Sequence, residues 1–244
     1  MKRLVPLSIC VFILWLPSGV LAQQKVPILV YHSIEEFHGH GSKELYVSPD
    51  NFEKQMNFLK ENGYTLLTFE RWKDIRNVNK PIFITFDDGY KNNLNAFTLF
   101  KKLTTERFKP SGTIFVISDF IGQSNRLSKT DLKLLADSGF ISIQSHTATH
   151  PDLTKIVNYN DELKGSKVKI EQMTGKPVIA LSYPYGNFND QVVLVTKRVY
   201  MYGITTTPGP YIKKGIKNEL YLLPRSYVKN STTLEEFKKI VKTD

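Results

Sequence analysis

Apolar positions recur along this chain in two alternating rhythms. Val26 to Tyr31 (VPILVY), Tyr64 to Phe69, Pro81 to Phe86 (PIFITF) and Gly112 to Ile117 are short apolar, β-branched and aromatic runs, as buried strands require. Phe140 to Ser145, Val178 to Ser182, Ile204 to Thr206 and Leu220 to Leu223 continue the series. Helical spacing fills the intervals. Ser48-Pro49 supplies a cap and a first-turn proline, and Phe52, Met56 and Leu59 follow at helical intervals until Gly63. A short helix is expected around Arg71 to Ile75. Longer ones are expected over Asn92 to Leu103, from Ser128 to Gly139, from Asn160 or Asp161 to Thr174 with Gly175 as the stop, over Asp190 to Tyr200 and over Leu234 to Val241. Glu35 to Glu44, holding His38, Gly39, His40 and Gly41, reads as a solvated loop.

Strands that alternate with helices imply a parallel sheet. Seven or eight such units in one chain of this length predict an α/β fold in the form of a closed or nearly closed barrel, more than an open doubly wound sheet. His32, Asp87, Asp88, His146, Tyr185 and Arg225 all stand just past the C-terminal ends of predicted strands, the edge on which such barrels carry their active sites.

Composition changes the picture at the N-terminus. Lys2 and Arg3, the apolar run Leu4 to Leu16, and the small-residue end Val20-Leu21-Ala22 have the form of an export signal, too short to span a membrane comfortably. The expected organisation is therefore a signal peptide over 1–22 and one catalytic domain over 23–244, secreted or associated with the cell envelope; a retained anchor is the other reading. The single cysteine, Cys10, lies inside that signal, which excludes disulfides, thiol catalysis and a zinc finger from the domain. About 220 residues remain, enough for one large core. Lys2 and Arg3 are the only charged residues of the signal, so its removal takes the formal charge from +10 to +8, a balance suited to an anionic wall polymer or membrane surface. The lysines are dispersed and the chain reads as exported, which argues against nucleic acid. A monomer is expected.

Two stretches carry candidate chemistry. Pro81 to Phe86 runs into Asp87-Asp88-Gly89, so a buried strand delivers two adjacent carboxylates to a surface. Neighbouring side chains on a strand face opposite ways, and both acids converge only if the strand ends there and Gly89 lets the chain turn. The second stretch is Ser145-His146-Thr147-Ala148-Thr149-His150-Pro151. Pro151 disfavours a helical backbone at His150, so a loop or single turn is expected to fold both imidazoles inward. With Asp88 they form a two-histidine, one-carboxylate set that leaves a metal position open for water and a substrate oxygen. Zn2+ is the default; Co2+, Ni2+ and Fe2+ accept the same ligands.

Thr85-Phe86-Asp87-Asp88-Gly89 and His146-Thr147-Ala148-Thr149-His150 together resemble the first two motifs of the polysaccharide deacetylases, the NodB-homology or carbohydrate esterase family 4 group. Val26 to Ile34 resembles the opening of one branch, the poly-N-acetylglucosamine deacetylases and related exported proteins. The resemblance runs over about Val26 to Val228. It implies a distorted (β/α) barrel and metal-dependent hydrolysis of N-acetyl, or in some members O-acetyl, groups on a glycan. On these positions it implies Asp87 as general base, Asp88, His146 and His150 as metal ligands, and the Tyr185 N–H as an oxyanion donor. In this branch it implies His32 as the acid, and no histidine follows His150. The chain departs from the family where Ser182 stands in place of an arginine that orients the base, and Arg225 is the candidate replacement.

Those roles compose a hydrolysis: water activated at a divalent metal, its proton taken by Asp87, the oxyanion met by the metal and Tyr185, the leaving nitrogen protonated by His32. Tyr31, Phe86, Tyr90, Tyr183 and Tyr185 are candidates both for sugar stacking and for the core. Two other classes share features: a catalytically weak glycan-binding protein on this scaffold, and an iron oxygenase, which has no use for Asp87. The expected partner is an acetylated polysaccharide, with peptidoglycan, poly-N-acetylglucosamine, chitin oligomers and acetylated xylan all open.

Overall fold

The computed structural model describes residues 24–243; the signal reading over 1–22 lies outside them. Eight parallel strands form one curled sheet: β1 (Ile28–Tyr31), β2 (Thr65–Leu67), β3 (Pro81–Phe86), β4 (Gly112–Val116), β5 (Ile141–Ser145), β6 (Ala180–Ser182), β7 (Tyr202–Ile204) and β8 (Ser226–Tyr227). Their spatial order is β7-β6-β5-β4-β3-β1-β8, with β2 paired to the first half of β3. The two ends of this path meet. Leu223 bridges Ile204 of β7, while Ser226 and Tyr227 pair with Leu29 and Val30 of β1. The result is the expected distorted barrel.

Strand alternation divides the apolar residues between two cores. Ile82, Ile84 and Phe86 of β3 face outward and pack with Phe52, Met56 and Leu59 of α1 (Pro49–Glu61), with Ala96 and Phe100 of α2 (Asn93–Leu103), and with Leu132 and Leu135 of α3 (Lys129–Asp137). Phe83 faces inward, where it joins Ile28, Leu67, Phe115, Ala180, Ile204 and Leu223. Each of the larger side chains among them contributes about 1.5–3 kcal/mol on full burial. The period of two that puts Phe83 and Thr85 inside carries on to Asp87.

Local signals set the helix ends. Ser48 Oγ accepts from the Asn51 N–H at 3.2 Å, and Ser128 with Asp131 and Thr233 with Glu236 form capping boxes for α3 and for α6 (Leu234–Val241). α4 (Ser166–Thr174) ends on left-handed Gly175, but the expected helix from Asn160 opens as a π-helical turn over Asn160–Gly165. α5 (Asp190–Thr196) stops before Tyr200.

Three expectations are corrected. The first strand breaks at Pro27, between Lys25–Val26 and β1; the former pairs with Tyr211–Ile212. β7 begins at Tyr202, two residues before the expected start. Leu220 to Leu223 is not the last strand: a 3-10 turn spans Glu219–Tyr221, and β8 follows Arg225. Pro224 has no N–H to give a ladder, so the pairing is carried on either side of it, by Leu223 N to the Gly203 carbonyl at 3.0 Å and Arg225 N to the Thr207 carbonyl at 2.9 Å.

Candidate metal-dependent active site

The strand ladder extends one residue beyond β3 and β5. Asp87 N donates to the Tyr31 carbonyl at 3.0 Å and His146 N to the Val116 carbonyl at 2.8 Å, so both side chains project from sheet-held backbone into the barrel mouth. Asp88 then takes φ 70 and Gly89 φ 64. The turn that was expected of Gly89 thus begins on Asp88 itself. It lets the second carboxylate join the first, and a Cβ at Gly89 would stand 2.9 Å from Val116 Cγ1. Thr147, His150 and Tyr185 also have φ between 60 and 69. Such backbone costs about 1–3 kcal/mol per residue and persists only where its surroundings enforce it.

The enforcement of the histidine loop is visible. Glu162, in the π-helical turn, accepts through Oε2 from the Ala148 and Thr149 N–H groups, each at 2.9 Å, and through Oε1 from Thr149 Oγ1 at 2.6 Å. Thr147 Oγ1 accepts from His150 N at 3.0 Å, and Ser166 Oγ donates to the Thr147 carbonyl at 3.0 Å. No helix forms over His146 to His150.

Asp88, His146 and His150 bring one donor atom each within 4.8 Å of one another. Asp88 Oδ1 lies 3.6 Å from His146 Nε2 and 3.8 Å from His150 Nε2. Ligands about 2.0–2.1 Å from a tetrahedral Zn2+ stand about 3.4 Å apart, so these separations fit such an ion with a small inward adjustment. The protonation states fit too. His146 Nδ1 lies 2.8 Å from the Ser182 carbonyl, which can only accept, so Nδ1 carries the proton and Nε2 presents its lone pair. Burial, then the neighbouring His146, lowers His150 to about 4, which leaves it neutral and able to coordinate at pH 7.

Asp87 has other partners. Arg225, fully buried, grips it with Nη1 on Oδ1 and Nη2 on Oδ2, both at 2.7 Å. Ser182 Oγ donates to Asp87 Oδ2 at 3.2 Å and accepts from Arg225 Nη2 at 2.8 Å. Arg225 also reaches Thr85 Oγ1 and the Thr205 carbonyl. Burial alone would raise the Asp87 carboxyl, but Arg225 and then His146 outweigh it and hold the group well below the carboxylate range. Asp87 Oδ2 is 3.8 Å from His146 Nε2. The position where the resemblance leaves a serine and the distant Arg225 thus act on the same acid.

The remaining expected residues are also placed. His32 is stacked on Tyr227, the ring centroids 5.9 Å apart and 6° from parallel. Burial lowers its pKa, opposed by the charges of Asp87 and Asp88. Tyr185, 63% exposed, contacts His150 edge to face with centroids 4.6 Å apart. Tyr90 lies under the Arg126 guanidinium at 3.9 Å, and burial and then Asp88 raise its pKa. Tyr31, Phe86 and Tyr183 are fully buried in the outer core, Tyr31 donating to Gln55 Oε1, so they offer no face to a sugar. His38 and His40 are exposed on their loop, as expected. Spacing alone did not point to Glu162 or Tyr227; each acts across a fold contact that leaves no local pattern.

Comparison with known proteins bears on this arrangement. The polysaccharide deacetylase family model matches residues 74–204, more than half of the chain. That stretch contains Asp87, Asp88, His146, His150 and Tyr185 but neither His32 nor Arg225. The crystal structure of BC0361, a polysaccharide deacetylase from Bacillus cereus, is 54% identical with a TM-score of 0.89, covering 90% of this chain and 70% of that one. YxkH of Bacillus subtilis (strain 168), named for a polysaccharide deacetylase, is 34% identical over 194 residues. The peptidoglycan-N-acetylmuramic acid deacetylase PdaA of the same organism is 29% identical over 195. These two alignments cover 76% and 79% of this chain but 66% of each relative, so about a third of either lies outside the match. The matched stretch and the metal-ligand set at the barrel mouth lead to one conclusion: this chain belongs to the polysaccharide deacetylase family.

Proposed function

We propose that this chain is an exported, metal-dependent deacetylase that hydrolyses N-acetyl groups on a GlcNAc-containing glycan of the cell wall or extracellular matrix, working as a monomer at an anionic envelope surface. One observation carries the chemistry. A second carboxylate, Asp87, is held by Arg225 and Ser182 beside a ligand set it does not join. A metal-binding or oxygen-activating protein would have no need of it, whereas hydrolysis needs a fixed proton acceptor.

Asp88, His146 and His150 would hold a divalent cation, Zn2+ by ligand type, which supplies Lewis acidity toward the acetyl carbonyl and activates water. Asp87 takes the proton of the attacking water. Its low pKa keeps it ionised across the working range, and the Arg225 fork with Ser182 fixes the direction of its remaining lone pair. The Tyr185 N–H donates to the acetyl oxygen as charge grows there. His32 hands a proton to the nitrogen that leaves, since an amide departs poorly as an anion. The tilt toward the poly-N-acetylglucosamine branch rests on Val26 to Ile34 and on His32 being the remaining histidine at a strand end. PdaA is named for N-acetylmuramic acid, so the amino sugar is a point for experiment.

The test is acetate release by the zinc-loaded protein across poly-N-acetylglucosamine, chitin oligomers, peptidoglycan and acetylated xylan. Release from an N-acetylated glycan, abolished by chelation and restored by metal, is the expected result. Release from acetylated xylan alone would replace the N-deacetylase with an O-acetyl esterase, and none from any of them would leave a glycan-binding protein.

A further inference from the structure

At the opposite end of the barrel, a cavity of about 620 Å3 is lined by Trp72, Ile75, Tyr211 and Leu220 with Lys73 and Arg76 at its rim. No residue of the candidate metal site lines it. Trp72 closes the barrel floor, its ring centroid 5.1 Å from Tyr211, 5.2 Å from Tyr202 and 5.3 Å from Phe83. The loop that follows Tyr211–Ile212 reads Lys213-Lys214-Gly215-Ile216-Lys217, and Ile216 is 56% exposed at its tip. Glu219 turns its carboxylate onto the Lys214 and Gly215 N–H groups. The one acid on the cavity wall is thereby spent on shaping the loop.

We propose that this face docks on an anionic phospholipid surface, with exposed Ile216 and half-buried Trp72 at the headgroup layer and Lys73, Arg76, Lys214 and Lys217 meeting the phosphates. Aromatic rings with adjoining lysines are the chemistry of a membrane interface. The exposed Ile216 favours lipid over a wall polyanion, because an aliphatic tip gains nothing from a polar polymer and gains burial in an acyl boundary. Position agrees. Gln24 Nε2 donates to the Ile75 carbonyl at 3.0 Å, so the chain joins the barrel at the cavity lip. Leu16, the end of the apolar run, is eight positions earlier. Eight extended residues reach at most about 28 Å. In a chain that keeps its N-terminal segment as an anchor, this end faces the bilayer while the metal site faces away toward the glycan; in a chain cleaved after Ala22, the surface residues alone direct the docking. The inference rests on the export reading and not on the deacetylase chemistry.

The test uses the chain from Gln23, in which Trp72 is the only tryptophan and which holds every strand and helix described. Sedimentation with vesicles of phosphatidylcholine containing one quarter phosphatidylglycerol should carry the protein down, and Trp72 emission should shift to the blue. Pure phosphatidylcholine should do neither. Each lysine near an anionic surface strengthens binding about fivefold, so Lys214→Glu with Lys217→Glu should weaken it by about thirtyfold or more, and Ile216→Asp should weaken it as well. Acetate release from a soluble oligosaccharide should be unchanged in both the double and the single variant, which separates a docking failure from a catalytic one. Equal binding to both vesicle types, binding unaffected by these substitutions, or binding to a soluble wall polyanion with none to vesicles would overturn the proposal.

Discussion

Arg225→Met tests the buried pair it forms with Asp87, the proposed base. All five N–H donors of the buried guanidinium are engaged: Nε on the Thr205 carbonyl, Nη1 on Asp87 Oδ1 and Thr85 Oγ1, Nη2 on Asp87 Oδ2 and Ser182 Oγ. Methionine keeps an aliphatic stem and removes the fork, leaving Asp87, 3% exposed, without its countercharge. Removing one partner of a buried pair destabilises by about 3–5 kcal/mol, and in a domain of this size each kcal/mol lowers Tm by about 2–4 °C. A fall of about 6–20 °C at pH 7 is expected. The sign of the pH dependence follows from the direction of the shift. Asp87 titrates below its ordinary 3.8 in the folded protein, so the pair's stabilisation is fully present above that pH and fades as pH falls through the lower native value. In the variant, burial drives the carboxyl upward, and protonation in mild acid relieves the uncompensated charge. The Tm gap between parent and variant should therefore be widest at pH 7 and narrow toward pH 4. Adding Asp87→Asn to Arg225→Met should recover part of the loss, because a neutral amide needs no countercharge. Thermal melts by circular dichroism at both pH values measure all of this. A Tm within about 2 °C of the parent at pH 7, or no recovery in the double variant, would refute the reasoning.

Four further outcomes are expected. His146→Ala should lose bound metal in elemental analysis together with activity, since it removes one of three ligands. Asp87→Asn should retain metal and lose about 10²–10⁴ in turnover on an N-acetylated glycan, and near-normal turnover would end the base assignment. Glu162→Gln weakens the clamp on the Ala148 and Thr149 N–H groups and should lower metal affinity about 10–100-fold by chelator competition, with the strand register and far-UV spectrum unchanged. His32→Ala should keep its metal and lose about 10²–10⁴ on amides but much less on an activated ester, whose leaving group needs no proton. Because burial lowers the His32 pKa from 6.5, its proton is lost as pH rises through a value below 6.5 in the free protein. The limb of kcat/KM that falls with rising pH should lie there and flatten in the variant; equal damage on amide and ester would remove His32 from the acid role.

The sequence by itself determined most of the strands, several helix caps and the edge at which the candidate residues gather. Those signals are local: alternation separates Ile82, Ile84 and Phe86 from Phe83, Thr85 and Asp87, and Ser128 with Asp131 caps α3 within one turn. Asp88, His146 and His150 were legible as a ligand set because their residue types and strand-end positions suffice. What holds those residues in place was decided by tertiary structure. Arg225 meets Asp87 across 138 positions of chain only because the segment from Leu223 to Tyr227 joins β7 to β1, and Ser182 enters the same network from β6. The left-handed backbone at Asp88, Thr147, His150 and Tyr185 runs against local preference and is sustained by contacts such as those of Glu162. Leu220 to Leu223 has the composition of a strand and yet is not one: Pro224 lacks the N–H a continuous ladder needs, and barrel closure places β8 beyond it. Local propensity reads a few residues at a time, whereas these features depend on which distant strands become neighbours when the sheet curls shut.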